Sequence, residues 1–146
     1  MDAREFLKLA EVLVVTPKAG AAHFRTAIGR AYYGAFNFGS EVMTELGFPP
    51  AENAQGHIQT VRLLQQSGDP MLEAAGGLLG DLHTLRLKAD YNLRRTDVER
   101  MKVAQAAVET AKSILDDFDA FMAHPVRKSA VTNALMSRYK AITGKP

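Results

Sequence analysis

The stretch "RTAIGRAYYGAFNFGSEVM", Arg25 to Met43, lies inside the long helical pattern that decides the fold. Apolar residues recur along this pattern at spacings of three and four: Phe24, Ile28, Ala31, Ala35, Phe38, Val42 and Leu46. The period predicts an amphipathic helix from Ala21 to Leu46, ended by Gly47 and the two prolines beyond it. Because an apolar stripe of this length must be covered, we expect other helices to pack against it.

The same helix carries polar side chains opposite the stripe, and glycines. The polar residues follow at spacings of three and four: Arg30, Tyr33, Asn37 and Glu41. The glycines recur every five residues: Gly29, Gly34 and Gly39. Each costs about 1 kcal/mol relative to alanine inside a helix, which a close approach of another helix would offset. The alternative is a solvated face with tolerated glycines. If another helix approaches this face closely, we expect the Arg30 guanidinium to lie against Tyr33 and Asp90.

Proline and glycine divide the rest of the chain into further helices, with no alternating strand pattern. Predicted helices cover residues 2–15, 55–66, 70–91, 97–122 and, as a last basic helix, 128–142. The first of these helices has one apolar face: Phe6, Leu9, Ala10 and Leu13. Asp69 is the predicted N-cap before Pro70, and Thr96 with Glu99 forms a predicted capping box. The sequence therefore predicts an all-α fold, an antiparallel bundle of four or five helices over residues 1–123.

A second group of charged and titratable side chains lies in "LHTLRLKADYNLRR", Leu82 to Arg95. His83, Arg86 and Asp90 are spaced by three and four, which places them on one helical face, with Tyr91 one position round. Arg86 and Asp90 form either a simple intrahelical ion pair or a buried pair at a seam between helices. His83 is interpreted either as a hydrogen-bonded rim residue or as a catalytic group.

Composition and charge narrow the classes of function. The 146 residues include no cysteine, which fits a cytoplasmic location, and no apolar run approaches the roughly 20 residues of a membrane span. A phosphate-binding glycine loop and a histidine pair at metal-ligand spacing are missing from the sequence, so we expect neither a cofactor nor a metal. Residues 124–146 hold five lysines and arginines and no acid, which predicts a basic, partly helical C-terminal extension.

Three stretches taken together resemble the HEPN superfamily (higher eukaryotes and prokaryotes nucleotide-binding), in particular its small stand-alone prokaryotic members. They are "RAYYGAF" (Arg30–Phe36), "HIQTVRLL" headed by His57, and "LRLKADY" (Leu85–Tyr91), in the family's order within residues 3–122. The resemblance implies a helical bundle that dimerises through its second and fourth core helices. It also implies a shared polar cleft with a network of four residues: Arg30, Tyr33, Asn37 and His57.

The resemblance further implies a link to RNA. Many HEPN proteins are metal-independent ribonucleases, often toxins paired with a nucleotidyltransferase-like antitoxin or parts of anti-phage defence. Their signature is an arginine and a later histidine with four to six residues between them, so that the arginine holds phosphate and the histidine moves a proton. Here the positions after Arg86 hold Tyr91, Asn92 and Leu93, and Asn37 replaces another histidine that is frequent in the family.

The sequence thus leaves two alternatives, a HEPN-type ribonuclease and a non-catalytic bundle that binds nucleic acid or a protein. For the ribonuclease, the candidate catalytic residues are Arg86, His83, Asp90 and Tyr91. For contacts with RNA phosphates, the candidates are Lys88, Arg94, Arg95, Arg127 and Lys128.

Overall fold

The computed structural model describes residues 1–145, and within them every regular element is a helix. In chain order the helices are α1 (Arg4–Val15), α2 (Ala21–Glu45), α3 (Gln55–Gln65), α4 (Pro70–Tyr91), α5 (Met101–Met122), α6 (Pro125–Met136) and α7 (Tyr139–Thr143). A short 3₁₀ turn, Thr96–Glu99, precedes α5. The predicted all-α class is confirmed: five of these helices lie within residues 1–123, as predicted, and the C-terminal extension, predicted as one helix, forms two. None of these seven is long and apolar enough to cross a membrane.

Helix α2 is central, and α1, α4 and α5 all pack on it. The predicted apolar stripe of α2 is confirmed, with Leu46 half-buried and the other six side chains buried. Tyr32, which lies beside this stripe, is also 0% exposed. Helix α4 runs antiparallel to α2, because Ala89 near its end bonds to Arg25 near the start of α2. The long polar and aromatic faces of these two helices are therefore brought together.

The predicted ends of two helices are confirmed by their hydrogen bonds. Asp69 caps α4, since its carboxylate accepts from the backbone amides of Met71 and Leu72 at 3.0 and 3.1 Å. Gly47 ends α2 in the left-handed region at φ 94°, and Phe48 N–H donates to the carbonyl of Met43 at 2.8 Å. This is the Schellman arrangement, in which glycine avoids the strain of a Cβ.

Three local predictions differ from the structure. Of the predicted face of α1, Ala10 is buried, Phe6 and Leu13 are half-buried, and Leu9 is exposed. Leu7 and Val14 are buried instead of Leu9, because α1 is apolar over much of its circumference and packing selects the stripe. Thr96 and Glu99 do not form a capping box, since Arg25 takes the Glu99 carboxylate and α5 begins only at Met101. The predicted helix 128–142 forms as two helices, α6 and α7, interrupted at residues 137–138.

The glycines of α2 lie where neighbouring elements approach closely. This confirms the expectation of close packing and excludes a solvated face with tolerated glycines. A Cβ on Gly29 would lie 3.2 Å from the Asp90 carboxylate, and one on Gly39 would lie 3.2 Å from the Phe118 ring. Gly34 faces α1 in the same way, 3.3 Å from the backbone nitrogen of Leu7. All three neighbours belong to the same chain, so these glycines give no reason to expect a second copy.

Arg25 connects the start of α2 to the end of α4 and the segment after it through hydrogen bonds and an ion pair. Its side chain is 10% exposed, and its guanidinium donates to the Glu99 carboxylate at 2.7 and 2.9 Å. The same group donates to the carbonyls of Ala89 and Arg95 at 2.8 and 2.9 Å. Because the last carbonyls of a helix have no partner within that helix, Arg25 satisfies groups that would otherwise be buried unpaired.

The C-terminal extension packs against the bundle. Val131, Leu135 and Ile142 are buried, although the sequence offers them too few apolar neighbours for a helix stable alone. Arg127 forms a two-pronged ion pair with Asp69, with both distances 2.7 Å. Tyr139 donates its hydroxyl hydrogen to the carbonyl of Pro49 at 2.6 Å. The extension therefore supports both the start of α4 and the segment between α2 and α3.

Two adjacent glycines of α4 provide a matched test of the packing between α3 and α4. A Cβ on Gly76 would lie 2.9 Å from the Leu64 Cβ, whereas nothing lies within 4 Å of one on Gly77. We expect Gly76→Ala to destabilise the protein by about 1–3 kcal/mol, through overpacking. Gly77→Ala should instead stabilise it by up to about 1 kcal/mol, through helix propensity. Urea unfolding measures both, and equal effects of the two substitutions would contradict the close crossing.

Candidate active site

Helices α2, α3 and α4 bring the side chains of the three HEPN-like stretches together. Helix α3 runs antiparallel to α4, with Leu64 beside Gly76 at one end and His57 beside His83 at the other. Arg86 lies one turn further along α4, over the ring of Tyr33 at 5.0 Å. We call His57, His83 and Arg86, with Tyr32 and Tyr33 of α2, the His–Arg cluster.

Arg86 is held from three sides but keeps one nitrogen free. Its Nε donates to the Asp90 carboxylate at 2.9 Å, and its Nη2 donates to the hydroxyls of Tyr33 at 2.6 Å and Tyr91 at 3.2 Å. The Arg86 side chain is 10% exposed. Its Nη1 has no hydrogen-bond partner within residues 1–145 and is not closed off from solvent. A fixed, buried guanidinium with one open donor is suited to binding an anion.

The Arg86–Asp90 pair therefore combines the two alternatives left by the sequence. It is an intrahelical pair at a spacing of four, and it also lies at a seam, because Asp90 packs on Gly29 of α2. With 28% of the Asp90 side chain exposed, the pair is only partly desolvated. Such a pair orients Arg86 more than it stabilises the fold.

The two imidazoles of the cluster stack on each other. Their ring centroids are 5.4 Å apart with planes 7° from parallel, and the Tyr32 ring lies 5.2 Å from His83. The Tyr32 hydroxyl is 2.5 Å from Nδ1 of His57. Burial raises the pKa of Tyr32, so its phenol is protonated and donates to His57. In neutral His57 the ring proton is therefore on Nε2.

Both histidines titrate below their ordinary range. Burial lowers the pKa of His57, and the nearby His83 and Arg86 lower it further. Burial and the charge of Arg86 lower the pKa of His83 in the same way. At pH 7 both imidazoles are therefore neutral, which is the form that accepts a proton from a reacting group.

The lowered pKa values of His57 and His83 make the stability of the fold depend on pH. Because the pKa of each histidine is lowered on folding, the unfolded chain binds more protons between the folded-state pKa and the ordinary value of 6.5. Stability therefore rises with pH through that window and is lost as pH falls below about 6.5. We expect the melting temperature to fall between about pH 7 and 5.5, above the range in which carboxylates titrate. A variant with His57→Gln and His83→Gln should lose most of this slope, and an unchanged slope would contradict the cause.

Each of the three basic side chains of the cluster has a nitrogen without a hydrogen-bond partner within the described residues. Within residues 1–145, His83 makes no side-chain hydrogen bond, and Nε2 of His57 also has no partner. The free nitrogens of His83 and His57 are accessible to solvent, and so is Nη1 of Arg86. The cluster thus contains one imidazole with an available lone pair, one ring N–H donor and one guanidinium donor on neighbouring side chains. This set can transfer a proton and bind a phosphoryl oxygen without a metal ion.

Two residues of the predicted cleft network lie differently from the expectation. Arg30 stacks over the rings of Phe6 and Tyr33 at 5.5 and 5.3 Å. The predicted contact with Asp90 is wrong, because Asp90 pairs with Arg86. The Nε of Arg30 is buried without a hydrogen-bond partner within the described residues. Asn37 donates to the carbonyl of Tyr33 in its own helix at 2.7 Å.

The predicted RNA-contacting residues lie in two separate places. Lys88 and Arg94 lie near the end of α4 and have no side-chain partner within residues 1–145, whereas Arg95 pairs with Asp97 at 2.9 Å. Arg127, followed by Lys128, lies at the start of α4 through its pair with Asp69. The 17 residues between Asp69 and Arg86 span roughly 25 Å of helix. Lys88 is therefore near Arg86 along α4 but on a different side of the helix, and Arg127 is near the opposite end of α4.

Sequence reasoning missed two residues that build this region. Tyr32 lies four residues after Ile28 and four before Phe36, so the helical period already indicated an inward position. Arg25 had no such signal, because its partners lie more than 60 residues away. Among the described residues, no group of three or more His, Asp or Glu could hold a metal ion.

Comparison of the chain with protein-family models, with curated proteins and with solved structures gave no match. Any assignment of function to this chain therefore depends on the geometry of the His–Arg cluster and on the chemistry of its side chains.

Proposed function

We propose that this chain is a HEPN-type, RNA-associated protein that cleaves RNA without a metal ion. The observation that carries the proposal is the meeting of His57, His83 and Arg86, each with a free nitrogen, in one partly buried cluster. The three HEPN-like stretches, which are far apart in the sequence, each supply a member of it. His57 and His83 take the place of the histidine that the family signature would put after Arg86.

The residues have distinct roles in the proposed reaction. Arg86 Nη1 binds a non-bridging phosphate oxygen and stabilises the negative charge that develops there. His83 takes the proton of the 2′-hydroxyl as that oxygen attacks phosphorus, so the O2′–P bond forms and the P–O5′ bond breaks. Water protonates the departing 5′-oxygen, and His83 returns its proton to solvent. His57, fixed by Tyr32, donates from Nε2 to the phosphate.

The first test uses a single-stranded RNA in excess EDTA. Cleavage should persist and leave a 2′,3′-cyclic phosphate, because the attacking group is the 2′-hydroxyl. His83→Ala should lower the rate about 10²-fold and remove the rise of the rate with pH that comes from deprotonation of this histidine. Tyr91→Phe is the control: its ring is 70% exposed and its one bond to Arg86 is long, so its effect should be smaller. Loss of cleavage in EDTA would overturn the metal-free mechanism.

A second candidate function is a non-catalytic module that binds nucleic acid or a protein. It is favoured by the Asp90 carboxylate, which neutralises Arg86 from within the chain at 2.9 Å. On this alternative, purified protein binds RNA with a steep salt dependence and never cleaves it. Lys88 and Arg94, which have no partner within residues 1–145, are then the first residues to substitute.

The biological setting follows from the resemblance. We propose a cytoplasmic toxin-antitoxin or anti-phage defence system in which this chain pairs with a nucleotidyltransferase-like antitoxin. We also propose a homodimer through α2 and α4, supported by exposed apolar side chains near the end of α4: Leu87, Tyr91 and Leu93. Light scattering at micromolar concentration tests the dimer, and a monomer at all concentrations would overturn it. Encoding of such an antitoxin by the neighbouring gene would support the pairing.

A further inference from the structure

A groove of about 590 Å³ adjoins the His–Arg cluster. It lies between α2 and the segment of residues 49–54, and its volume is in the range of ligand sites. Tyr33 and His57 line this groove and also belong to the His–Arg cluster, so the two sites have two residues in common. A molecule bound across both would place one part in the groove and another at Arg86.

The outer wall of this groove is fixed in place. The backbone N–H of Ala51 donates to the Gln59 side chain at 2.8 Å, and the Pro49 carbonyl accepts from Tyr139 of the C-terminal extension. Gly56 allows the segment to fold onto α3, since a Cβ there would lie 2.0 Å from the Ala51 carbonyl oxygen. The groove is therefore formed before any ligand arrives, which reduces the entropic cost of binding.

The lining indicates a planar, neutral ligand with hydrogen-bonding edges. Tyr33 and Phe36 provide aromatic surface, and Ser40 and Asn37 provide polar groups. Because the Asn37 Nδ2 donates to a backbone carbonyl, the orientation of the amide is determined and its Oδ1 remains as an acceptor. Neither lysine nor arginine lines the groove, and Glu52 does, so a phosphate is disfavoured there.

We infer that this groove binds the nucleobase of the nucleotide next to the scissile phosphate. The inference rests on the proposed function, because it assigns a base subsite to the same RNA whose phosphate meets Arg86. The base packs against the aromatic wall, and Asn37 Oδ1 accepts a hydrogen bond from its edge. Aromatic packing of a base with a few polar contacts is a general mode of single-stranded RNA recognition.

The test uses nucleosides, which carry no phosphate, and the full chain. Adenosine and cytidine are titrated into ¹⁵N-labelled protein, and shifts are expected for residues of α2 and of segment 49–54. Asn37→Ala should weaken nucleoside binding about three- to tenfold, the range for one lost hydrogen bond. Asn133→Ala makes the same change on the exposed surface of α6 and should have no effect. Inorganic phosphate should not displace the nucleoside.

Cleavage assays separate this inference from the proposed function. With RNA as substrate, Asn37→Ala should raise KM with little change in kcat, since it removes binding remote from the reacting atoms. Nucleoside shifts without cleavage would overturn the ribonuclease and retain the base site. Cleavage with an unchanged KM in Asn37→Ala, or no shifts at millimolar nucleoside, would overturn the base site alone.

Discussion

Replacement of Arg86 by alanine is expected to lower RNA cleavage about 10²–10³-fold, the scale for removing one preorganised donor from a reacting oxyanion. Arg86 is the only member of the cluster with a permanent positive charge, and Tyr33 and Asp90 hold it in place. The loss should fall mainly on kcat, because the interaction with phosphate strengthens as charge develops. Single-turnover cleavage of a defined RNA in EDTA measures it.

Two further variants keep this result interpretable. Arg86→Ala leaves the Asp90 carboxylate without its partner, so stability must be measured beside activity. Asp90→Asn keeps the guanidinium and removes the competing carboxylate, and it should retain cleavage. Arg86→Lys keeps the charge but cannot reproduce the donor geometry, so it should rescue only part of the rate. Full activity of a folded Arg86→Ala protein would overturn the assigned role.

Replacement of Arg25 by alanine is expected to destabilise the protein by about 2–4 kcal/mol, because each buried acceptor left without its donor costs about 1–3 kcal/mol and the Glu99 carboxylate, 27% exposed, is only partly desolvated. The substitution leaves the Glu99 carboxylate and the carbonyls of Ala89 and Arg95 without their donor. Urea unfolding of the wild type and the variant, with comparable m-values, measures the difference.

The matched control for Arg25 is Arg100→Ala. Arg100 is exposed and makes no side-chain ion pair within residues 1–145, so its loss should change stability by less than about 0.5 kcal/mol. Arg25→Lys should recover part of the stability, because an ammonium cannot reach all of these acceptors at once. A similar stability of Arg25→Ala and Arg100→Ala would show that the junction between α2 and α4 contributes little.

The sequence was sufficient for features that depend on residues within one or two helical turns. The stripe from Phe24 to Val42, the cap at Asp69 and the stop at Gly47 all depend on contacts within a few residues. The Arg86–Asp90 pair belongs to the same group, because its spacing of four is an intrahelical neighbour distance.

Partners distant in the sequence decided the remaining features. Glu99 could have capped its own helix, but Arg25, 74 residues away, takes its carboxylate. Helix α1 offered more than one apolar stripe, and packing on α2 selected the one through Leu7. Arg127, a candidate for contact with RNA, forms an ion pair with Asp69, 58 residues away in the sequence. In each case the local sequence allowed more than one partner or more than one buried face. Which one formed depended on the side chains that the tertiary structure made neighbours.

The sequence by itself determined a helical protein with two chemically rich faces, because helix periodicity and capping depend on near neighbours. The candidate site was determined only by the tertiary structure. His57 and His83 are 26 positions apart, and their stacking depends on the antiparallel packing of α3 on α4. The lowered pKa of each histidine has the same origin, since burial and the charge of Arg86 exist only once the helices are assembled.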